Sequence, residues 1–150
     1  MLDSIINVYI VETKNMGKGV FASKDFDIGD LVLEFSGEQV LPTPGVHTLQ
    51  IGLDKHLLVD EPYRYVNHSC NPNCGIKDET KLVAMKHVKK GEEITFDYAM
   101  TEKHMSAMTC LCNTAKCRKS ITGFDGLSEE DKHRYKGFIS EYLQNGEPAA

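Results

Sequence analysis

Short apolar runs, rich in β-branched residues, alternate with polar turns along the first 100 positions of the chain. They predict strands at residues 5–11, 20–22, 31–35, 49–51, 57–59, 82–85 and 93–96. Glycine and proline separate these runs, and no long helical pattern interrupts them before residue 100. The pattern therefore predicts a mostly β fold built from small curved sheets.

The C-terminal segment has a different period. Ser128 precedes three acidic residues, which is typical of a helix N-cap followed by a first turn that favours negative charge. Apolar residues then recur at steps of three and four, at Tyr135, Phe138, Ile139, Tyr142 and Leu143. One C-terminal helix is predicted here, ended by Gly146 and Pro148. Such a stripe more often packs on the core than binds a partner.

Composition indicates one globular domain of 150 residues, of which 41% are hydrophobic and 26% charged. No run reaches the roughly 18 apolar residues of a membrane span, and the N-terminus lacks the features of a secretory signal. We therefore expect an intracellular location, cytoplasmic or nuclear, without membrane association. Seventeen basic and 22 acidic residues give a net charge of −5, which disfavours direct nucleic-acid binding and mildly favours a cationic partner.

Two polar segments carry most of the chemical information. Residues 67–73 read NHSCNPN, a run of donors and acceptors that favours a turn over a helix or a central strand. Residues 91–98 read GEEITFDY, a turn leading into a strand that ends on Tyr98. Alone, the first segment also fits an ordinary loop with local side-chain hydrogen bonds, and Tyr98 fits a tyrosine that only packs its ring.

Gly17 and Gly19 form a pair between two predicted strands. Paired glycines usually mark only a turn, although they also let backbone groups approach a ligand closely. A dinucleotide-binding loop of the Rossmann type is disfavoured, because that fingerprint needs a helix N-terminus for the phosphates.

The five cysteines are unevenly spaced. Cys110, Cys112 and Cys117 form a CxCx4C cluster, whereas Cys70 and Cys74 lie far upstream. Without a predicted secretory signal, clustered thiolates are more typical of a metal site than of a disulfide framework. Three thiolates need a fourth ligand to complete a closed tetrahedral zinc site.

Taken in chain order, these motifs resemble those of the SET-domain protein-lysine methyltransferases. Residues 17–22 (GKGVFA) resemble the opening GxGV motif, and residues 35–38 (FSGE) resemble the motif YxGE. Residues 64–73 (RYVNHSCNPN) resemble RFINHSCxPN, and residues 91–98 resemble GEELTFDY. Residues 110–117 resemble the post-SET motif CxCx4C.

The resemblance implies a β-rich SET domain over residues 1–100, then a post-SET zinc segment and a C-terminal helix over residues 101–150. It also implies the family's pseudoknot, in which residues 67–73 pass through a loop near Tyr98. The implied activity is methyl transfer from S-adenosylmethionine to a lysine of a basic protein or peptide, such as a histone-like tail. The oligomeric state stays open.

Two alternatives belong to other functional classes. A SET-like module could bind a peptide without catalysis, but loss of Tyr98 or Asn67 would be its signature, and both are present. A zinc-stabilised interaction protein without a donor site is disfavoured by the intact Gly17, Gly19, Asn67 and His68.

The resemblance also assigns residues to the methyl donor. The expected donor-binding residues are Gly17, Lys18, Gly19, Arg64, Asn67, His68 and Tyr98. The glycine loop would contact S-adenosylmethionine through its backbone, and the Asn67 side chain would hold the amino-acid end of the donor. His68 would meet the adenine mainly through backbone.

Tyr98 is the expected catalytic centre, with Tyr65 and Phe96 beside it. Attack on a sulfonium methyl needs a neutral amine, which a phenolic oxygen and backbone carbonyls can orient inside an aromatic channel. Phe35 stands where the family often has tyrosine, so Tyr63 or Tyr65 is expected to supply the missing hydroxyl, or else activity is altered. Phe96 stands where the family alternates Phe and Tyr, and Phe is expected to leave room for more than one methyl.

The resemblance completes the zinc site as well. It implies that Cys70 joins Cys110, Cys112 and Cys117 as the fourth ligand. The metal would then hold the tail over the loop that contains Cys70. Cys74 is left as a reduced packing thiol.

Overall fold

The computed structural model describes residues 7–14 and 17–144. Within these ranges twelve short strands form four small sheets. The strands are β1 (Val8–Glu12), β2 (Lys18–Ala22), β3 (Leu31–Glu34), β4 (Val40–Leu41), β5 (Thr48–Gly52), β6 (Lys55–Leu58), β7 (Asn67–His68), β8 (Cys74–Lys77), β9 (Lys81–Ala84), β10 (Glu93–Phe96), β11 (Met108–Thr109) and β12 (Ser120–Ile121). Three 3₁₀ turns lie at Tyr63–Tyr65, Tyr98–Met100 and Phe124–Gly126.

Strand β10 organises the part of the fold that carries the motifs. The four-stranded sheet has the order β1-β2-β10-β7, and β10 pairs antiparallel with β2 and parallel with β7. The other sheets have the orders β3-β9-β8, β4-β6-β5 and β11-β12. Because Thr95 lies opposite Asn67 and Phe96 opposite His68, the two polar segments are neighbours in space.

The loop after β7 is fastened along β10. The Asn73 side chain donates to the carbonyl oxygen of Glu93 at 2.8 Å and accepts from the backbone N–H of Thr95 at 3.0 Å. Ser69 donates its backbone N–H to the carbonyl of Phe96 at 3.1 Å. Residues 67–73 therefore have a fixed course beside the strand that leads to Tyr98, while the threading of the pseudoknot stays a prediction.

Each predicted strand overlaps an observed one, and the mostly β fold is confirmed. Residues 5 and 6 of the first predicted strand lie outside the described residues. Strands β4, β7, β8, β11 and β12 were not predicted. Four of them have only two residues, and β8 contains glycine and lysine, so tertiary pairing rather than local propensity defines them.

The C-terminal segment differs from the single predicted helix. It contains α1 (Glu129–Arg134) and α2 (Glu141–Gln144). Ser128 caps α1, since its hydroxyl accepts the N–H of Asp131 at 3.0 Å. The helix breaks at Gly137, which has a φ of +89°, and the carbonyl of Phe138 then accepts the N–H of Ile76 in β8 at 2.9 Å.

The C-terminal apolar stripe packs on the core, as predicted. Tyr135, Ile139 and Leu143 are buried in the main apolar cluster, together with residues of the sheets such as Ile76 and Ile94. The predicted helix stop at Gly146 and Pro148 lies outside the described residues. Among the described residues, none of the helices has the length and apolarity needed to cross a lipid bilayer.

Candidate active site

Tyr98 occupies a point where two cavities share a wall. It begins the 3₁₀ turn after β10, and the Asp97 carboxylate caps that turn by accepting the N–H of Ala99 at 3.0 Å. The Tyr98 hydroxyl donates to the carbonyl oxygen of Val66 at 2.9 Å. One cavity has a volume of about 260 Å³ and the other of about 220 Å³, and Tyr98 lines both.

The larger cavity, called here the aromatic cavity, is lined by Phe35, Tyr63, Val66, Phe96, Tyr98 and Glu102 among others. The ring centroids of Phe35 and Phe96 lie 5.8 Å apart, and those of Phe96 and Tyr98 lie 5.2 Å apart. Phe35 and Phe96 are both buried. An aromatic cavity of this kind suits a flexible side chain that ends in an amine, because the rings give apolar contact to the chain and bring no hydrogen-bond donors that would compete with the amine.

The smaller cavity, called here the tail-side cavity, lies between the NHSC loop and the cysteine segment. Asn67, His68 and Tyr98 form one side, and residues 108–111 form the other. Asn67 donates to the carbonyl of Lys18 at 3.1 Å and to the Glu93 carboxylate at 2.8 Å. The glycine loop is therefore tied to the NHSC loop at the edge of this cavity.

Gly19 is buried at this junction, where a larger residue would not fit. A Cβ atom there would lie 2.6 Å from the Glu93 carboxylate and 3.2 Å from the Asn67 amide nitrogen. Glycine thus allows the backbone of the loop to approach Asn67 closely. The backbone-mediated donor contact expected from the sequence at Gly19 stays a prediction, and the room beside Asn67 is compatible with it.

The His68 side chain has a structural position that the sequence did not reveal. Its Nδ1 accepts the backbone N–H of Tyr98 at 3.0 Å, so the proton of the neutral ring is on Nε2. Nε2 lies 3.4 Å from the Cys70 sulfur and is oriented as a donor to it. Burial lowers the pKa of His68 to about 4, so the ring is neutral at pH 7.

The four cysteines predicted as ligands converge. The sulfur atoms of Cys70, Cys110, Cys112 and Cys117 all lie within 4.8 Å of one another, and those of Cys70 and Cys110 are 3.7 Å apart. All four are free thiols, and a tetrahedral zinc with Zn–S bonds of about 2.3 Å would separate its sulfurs by about 3.8 Å. The four sulfur atoms therefore fit a closed structural zinc site.

Cys74 lies apart from this cluster. It is fully buried in the main apolar core, as expected for a packing thiol. Burial raises its pKa to about 12, so it remains a neutral, unreactive thiol at pH 7.

An ion pair between a buried and a half-buried side chain joins the GEEITFDY segment to the cysteine motif. Arg118, which follows Cys117, donates from its two terminal nitrogens to the Asp97 carboxylate at 2.6 and 3.0 Å. Asp97 is fully buried and also accepts the Tyr135 hydroxyl at 2.7 Å. No local pattern pointed to these partners, although Asp97 lies in the GEEITFDY segment and Arg118 follows the last cysteine of the cluster.

Tyr65 and Arg64 do not line the cavities in which the sequence placed them, and the Lys18 side chain lies against Tyr65 while its carbonyl stays bonded to Asn67. The Tyr65 hydroxyl donates to Glu61 at 2.9 Å, and the ammonium nitrogen of Lys18 lies 4.9 Å from the centroid of the Tyr65 ring. Arg64 lines the aromatic cavity, not the tail-side cavity, and donates to the carbonyl of Val59. Tyr63 is the tyrosine that joins Phe35 in the aromatic lining.

Residues 44–99 match the family model of the SET domain. The curated protein "Histone-lysine N-methyltransferase trithorax" of Drosophila virilis is 29% identical over 128 residues, which cover 70% of this chain. This chain spans only 3% of the length of that relative.

Two solved structures share the fold. A KRYPTONITE structure, in complex with mCHH DNA, H3(1-15) peptide and SAH, aligns with a TM-score of 0.62 and 20% identity, covering 77% of this chain and 29% of that one. The structure titled "Structural basis for the product specificity of histone lysine methyltransferases" aligns with a TM-score of 0.58 and 26% identity, covering 75% and 55%. The SET-domain match over residues 44–99, the order of the motifs and the shared fold together make this chain similar to the SET-domain proteins.

Proposed function

We propose that this protein transfers a methyl group from S-adenosylmethionine to a lysine side chain of a basic protein, with a histone tail as the expected kind of substrate. The observation that carries the proposal is the position of Tyr98 in the walls of both cavities. A donor on one side and an acceptor on the other would meet at its hydroxyl. The histone-lysine methyltransferase names of the relatives, the SAH and H3 peptide of KRYPTONITE, and the net charge of −5 support this assignment.

The tail-side cavity is the proposed donor site. The Gly17–Gly19 loop, Asn67 and the backbone of His68 would hold S-adenosylmethionine, which supplies a methyl group on a positively charged sulfur. Gly19 supports this placement because its missing Cβ leaves backbone room beside Asn67. The Asn67 side chain is already oriented by Lys18 and Glu93, so little ordering of the site is needed when the donor binds.

The residues of the aromatic cavity position the amine. Burial, together with the charges of Glu102 and Glu93, raises the pKa of Tyr98, so its hydroxyl stays protonated at neutral pH. Tyr98 is therefore a positioning group and not a base, and the Val66 carbonyl that it contacts marks where an N–H donor can be held. The rings of Phe35 and Phe96 exclude water and disfavour a charged ammonium at the point of transfer.

The proposed zinc ion is structural, because four thiolates leave no open coordination position. The SET segment before residue 101 and the segment after it would then act as one folding unit. Cys70 and Asp97 contribute from the first segment, while three cysteines and Arg118 contribute from the second.

Labelled methyl transfer tests the proposal directly. Wild-type protein, incubated with S-adenosylmethionine carrying a labelled methyl group and a cell lysate, is expected to label basic proteins on lysine. Tyr98→Phe is expected to lower labelling by about 100-fold, the scale of losing one positioned hydrogen-bonding group in an active site. Its affinity for the donor, measured by calorimetry, should change less than about threefold, because donor contacts come mainly from other residues.

The competing peptide-binding function makes the opposite prediction. A folded wild-type protein that binds the donor measurably but labels no protein would favour a non-catalytic module. Equal labelling by wild type and Tyr98→Phe would remove Tyr98 from the mechanism.

Phe96 leads to a prediction about the product. It is buried against Phe35 and Tyr98 and brings no hydroxyl to the cavity, so we expect space for an amine that already carries a methyl group. Wild type should produce dimethyl- or trimethyllysine. Phe96→Tyr should shift the product towards monomethyllysine, because the added hydroxyl occupies that space and offers a hydrogen bond that holds the amine. Mass spectrometry of the labelled peptide measures the distribution, and a wild-type product that is strictly monomethylated would contradict the expectation.

A further inference from the structure

Glu102 lines the aromatic cavity and is the only acidic residue in its described lining, which is mostly apolar and aromatic. Arg64 lines the same cavity, but its guanidinium donates to the carbonyl of Val59 and pairs with Glu61. The backbone N–H of Glu102 donates to the carbonyl of Tyr98 at 2.9 Å, so Glu102 lies one turn beyond the proposed catalytic tyrosine. No SET motif quoted above includes Glu102, and the proposed mechanism gives its charge an effect on the pKa of Tyr98 but no contact with the substrate.

The carboxylate is held by one of its two oxygens. Oε2 accepts the backbone N–H of Gln50 at 2.9 Å and the hydroxyl of Thr101 at 2.9 Å. Across residues 7–14 and 17–144, Oε1 has no hydrogen-bond partner, and it is not enclosed, since the enclosed unpaired side-chain atoms there are His56 Nδ1 and Ser140 Oγ. The side chain is thus fixed in orientation while one oxygen keeps its full capacity to accept.

Holding a negative charge here costs free energy. Burial raises the pKa of Glu102, although the hydrogen bonds from Gln50 and Thr101 oppose that effect. The charge also contributes to the raised pKa of Tyr98, so its field reaches the place where the amine must sit. A cationic ligand would offset the cost, whereas an apolar ligand would bury the carboxylate further.

We propose that Glu102 binds the ammonium group of the substrate lysine in the aromatic cavity and so selects a cationic side chain over an apolar one of the same shape. This role rests on the proposed function, because it assigns a lysine to this cavity. An ammonium group has three donors, which match a carboxylate oxygen that is otherwise unoccupied. Glu102 acts when the lysine enters as an ammonium, and the proton must leave before the nitrogen attacks the methyl group, because only the neutral amine has a lone pair.

The test compares two peptides on two proteins. The probes are a 15-residue peptide centred on the lysine that mass spectrometry identifies as labelled, and the same peptide with norleucine in place of that lysine. Norleucine keeps the length of the lysine chain and removes its charge. For each protein, the dissociation constant of the norleucine peptide is divided by that of the lysine peptide. We expect this ratio to be about tenfold smaller for Glu102→Gln than for wild type, because the variant loses one hydrogen bond to a charged group.

This ratio separates recognition from a structural role. Glutamine keeps an oxygen that can accept from Gln50, and any loss of folded protein affects both peptides equally. In steady-state kinetics the KM of the lysine peptide is expected to rise about tenfold in Glu102→Gln, with kcat changed less than twofold.

Glu129→Gln is the matched control. It removes the same charge from α1, where the side chain is 91% exposed, and the ratio should match that of wild type. A ratio in Glu102→Gln equal to that of wild type overturns this inference while leaving methyl transfer intact. If wild type labels no lysine at all, the proposed function and this inference are both refuted.

Discussion

Replacing Cys70 with serine is expected to release the metal and abolish methyl transfer together. The Cys70 sulfur is one of four that lie within 4.8 Å of one another, and a serine hydroxyl is a poor ligand for zinc in such a site. The same sulfur faces His68 Nε2 at 3.4 Å, and His68 in turn accepts the N–H of Tyr98. Losing this thiolate is therefore expected to remove the proposed zinc ion and one support of the proposed catalytic tyrosine in a single change.

Metal content and activity measure this result separately. Inductively coupled plasma mass spectrometry should find about one zinc ion per wild-type chain and essentially none per Cys70→Ser chain. This loss is expected because a closed four-thiolate site depends on all four ligands. Methyl transfer should fall by at least about 100-fold, the upper end of losses seen when groups that support a metal site are changed. Hydrogen exchange should increase across residues 101–121, because the metal no longer holds the tail.

Cys74→Ala is the matched control for this change. It also removes one buried thiol from the chain, but Cys74 lies in the apolar core, away from the cluster. It should retain a full equivalent of zinc and near-normal activity. A Cys70→Ser protein that kept its zinc and its activity would show that the loop serves the donor site alone.

Replacing Arg118 with methionine is expected to lower the free energy of unfolding by about 3 kcal/mol at pH 7, the low end for breaking a buried ion pair. Asp97 is fully buried. Among the described residues, Arg118 is the only permanently charged group that contacts the Asp97 carboxylate, through two short hydrogen bonds. Tyr135 and the N–H of Ala99 would still donate to the carboxylate, which limits the loss. Urea denaturation of both proteins, saturated with zinc, measures the difference.

The pH dependence of this loss has a definite sign. Burial raises the pKa of Asp97, but the hydrogen bonds and charge of Arg118, together with His68 and the N–H of Ala99, outweigh burial and hold the pKa below its ordinary value. Wild type therefore has this stabilisation above the unfolded-state pKa of about 3.9 and loses it as the pH falls through the folded-state pKa. In Arg118→Met the largest lowering contribution is gone, so less stabilisation remains to be lost. The difference between the two proteins should shrink as the pH falls below about 4.

Lys116→Met provides the control, because it removes one positive charge from an exposed position in the same loop. It should change the free energy of unfolding by less than about 0.5 kcal/mol, as for most surface substitutions. Equal losses in the two variants would mean that net charge, and not the Asp97–Arg118 pair, determines stability here.

The strands that the sequence predicted correctly, and the cysteines that the structure brings together, are those with a local pattern. Apolar runs separated by turn residues predicted the longer strands, because a residue's neighbours decide whether it suits a pleated, half-buried surface. The cysteines were found because thiolates at fixed spacings have few other uses in a reduced protein. The family resemblance predicted that Gly19, Asn67 and Tyr98 lie close together. The structure explains this proximity by the pairing of β10 with β7.

The features that the sequence could not predict depend on contacts between segments that are far apart in the chain. The helix break at Gly137 occurs because Phe138 exchanges a helical bond for one to β8, 62 positions away. Tyr63 and Tyr65 both begin as candidates, but they lie two residues apart in a 3₁₀ turn with three residues per turn, so they face different directions. The contacts of Arg118, Tyr135 and the His68 ring likewise depend on which segments meet in three dimensions.

The contacts of α1 extend the functional unit well beyond the SET motifs. The Tyr135 hydroxyl reaches Asp97, and Arg134 donates to the carbonyl of Cys70 at 3.0 Å. Arg134, the last residue of α1, and the buried Tyr135 that follows it thus contact a proposed metal ligand and the residue before the proposed catalytic tyrosine. If the proposed function holds, substitutions at Tyr135 or Arg134 should disturb the site from a distance, and a fragment that stopped after the last cysteine would lack these contacts.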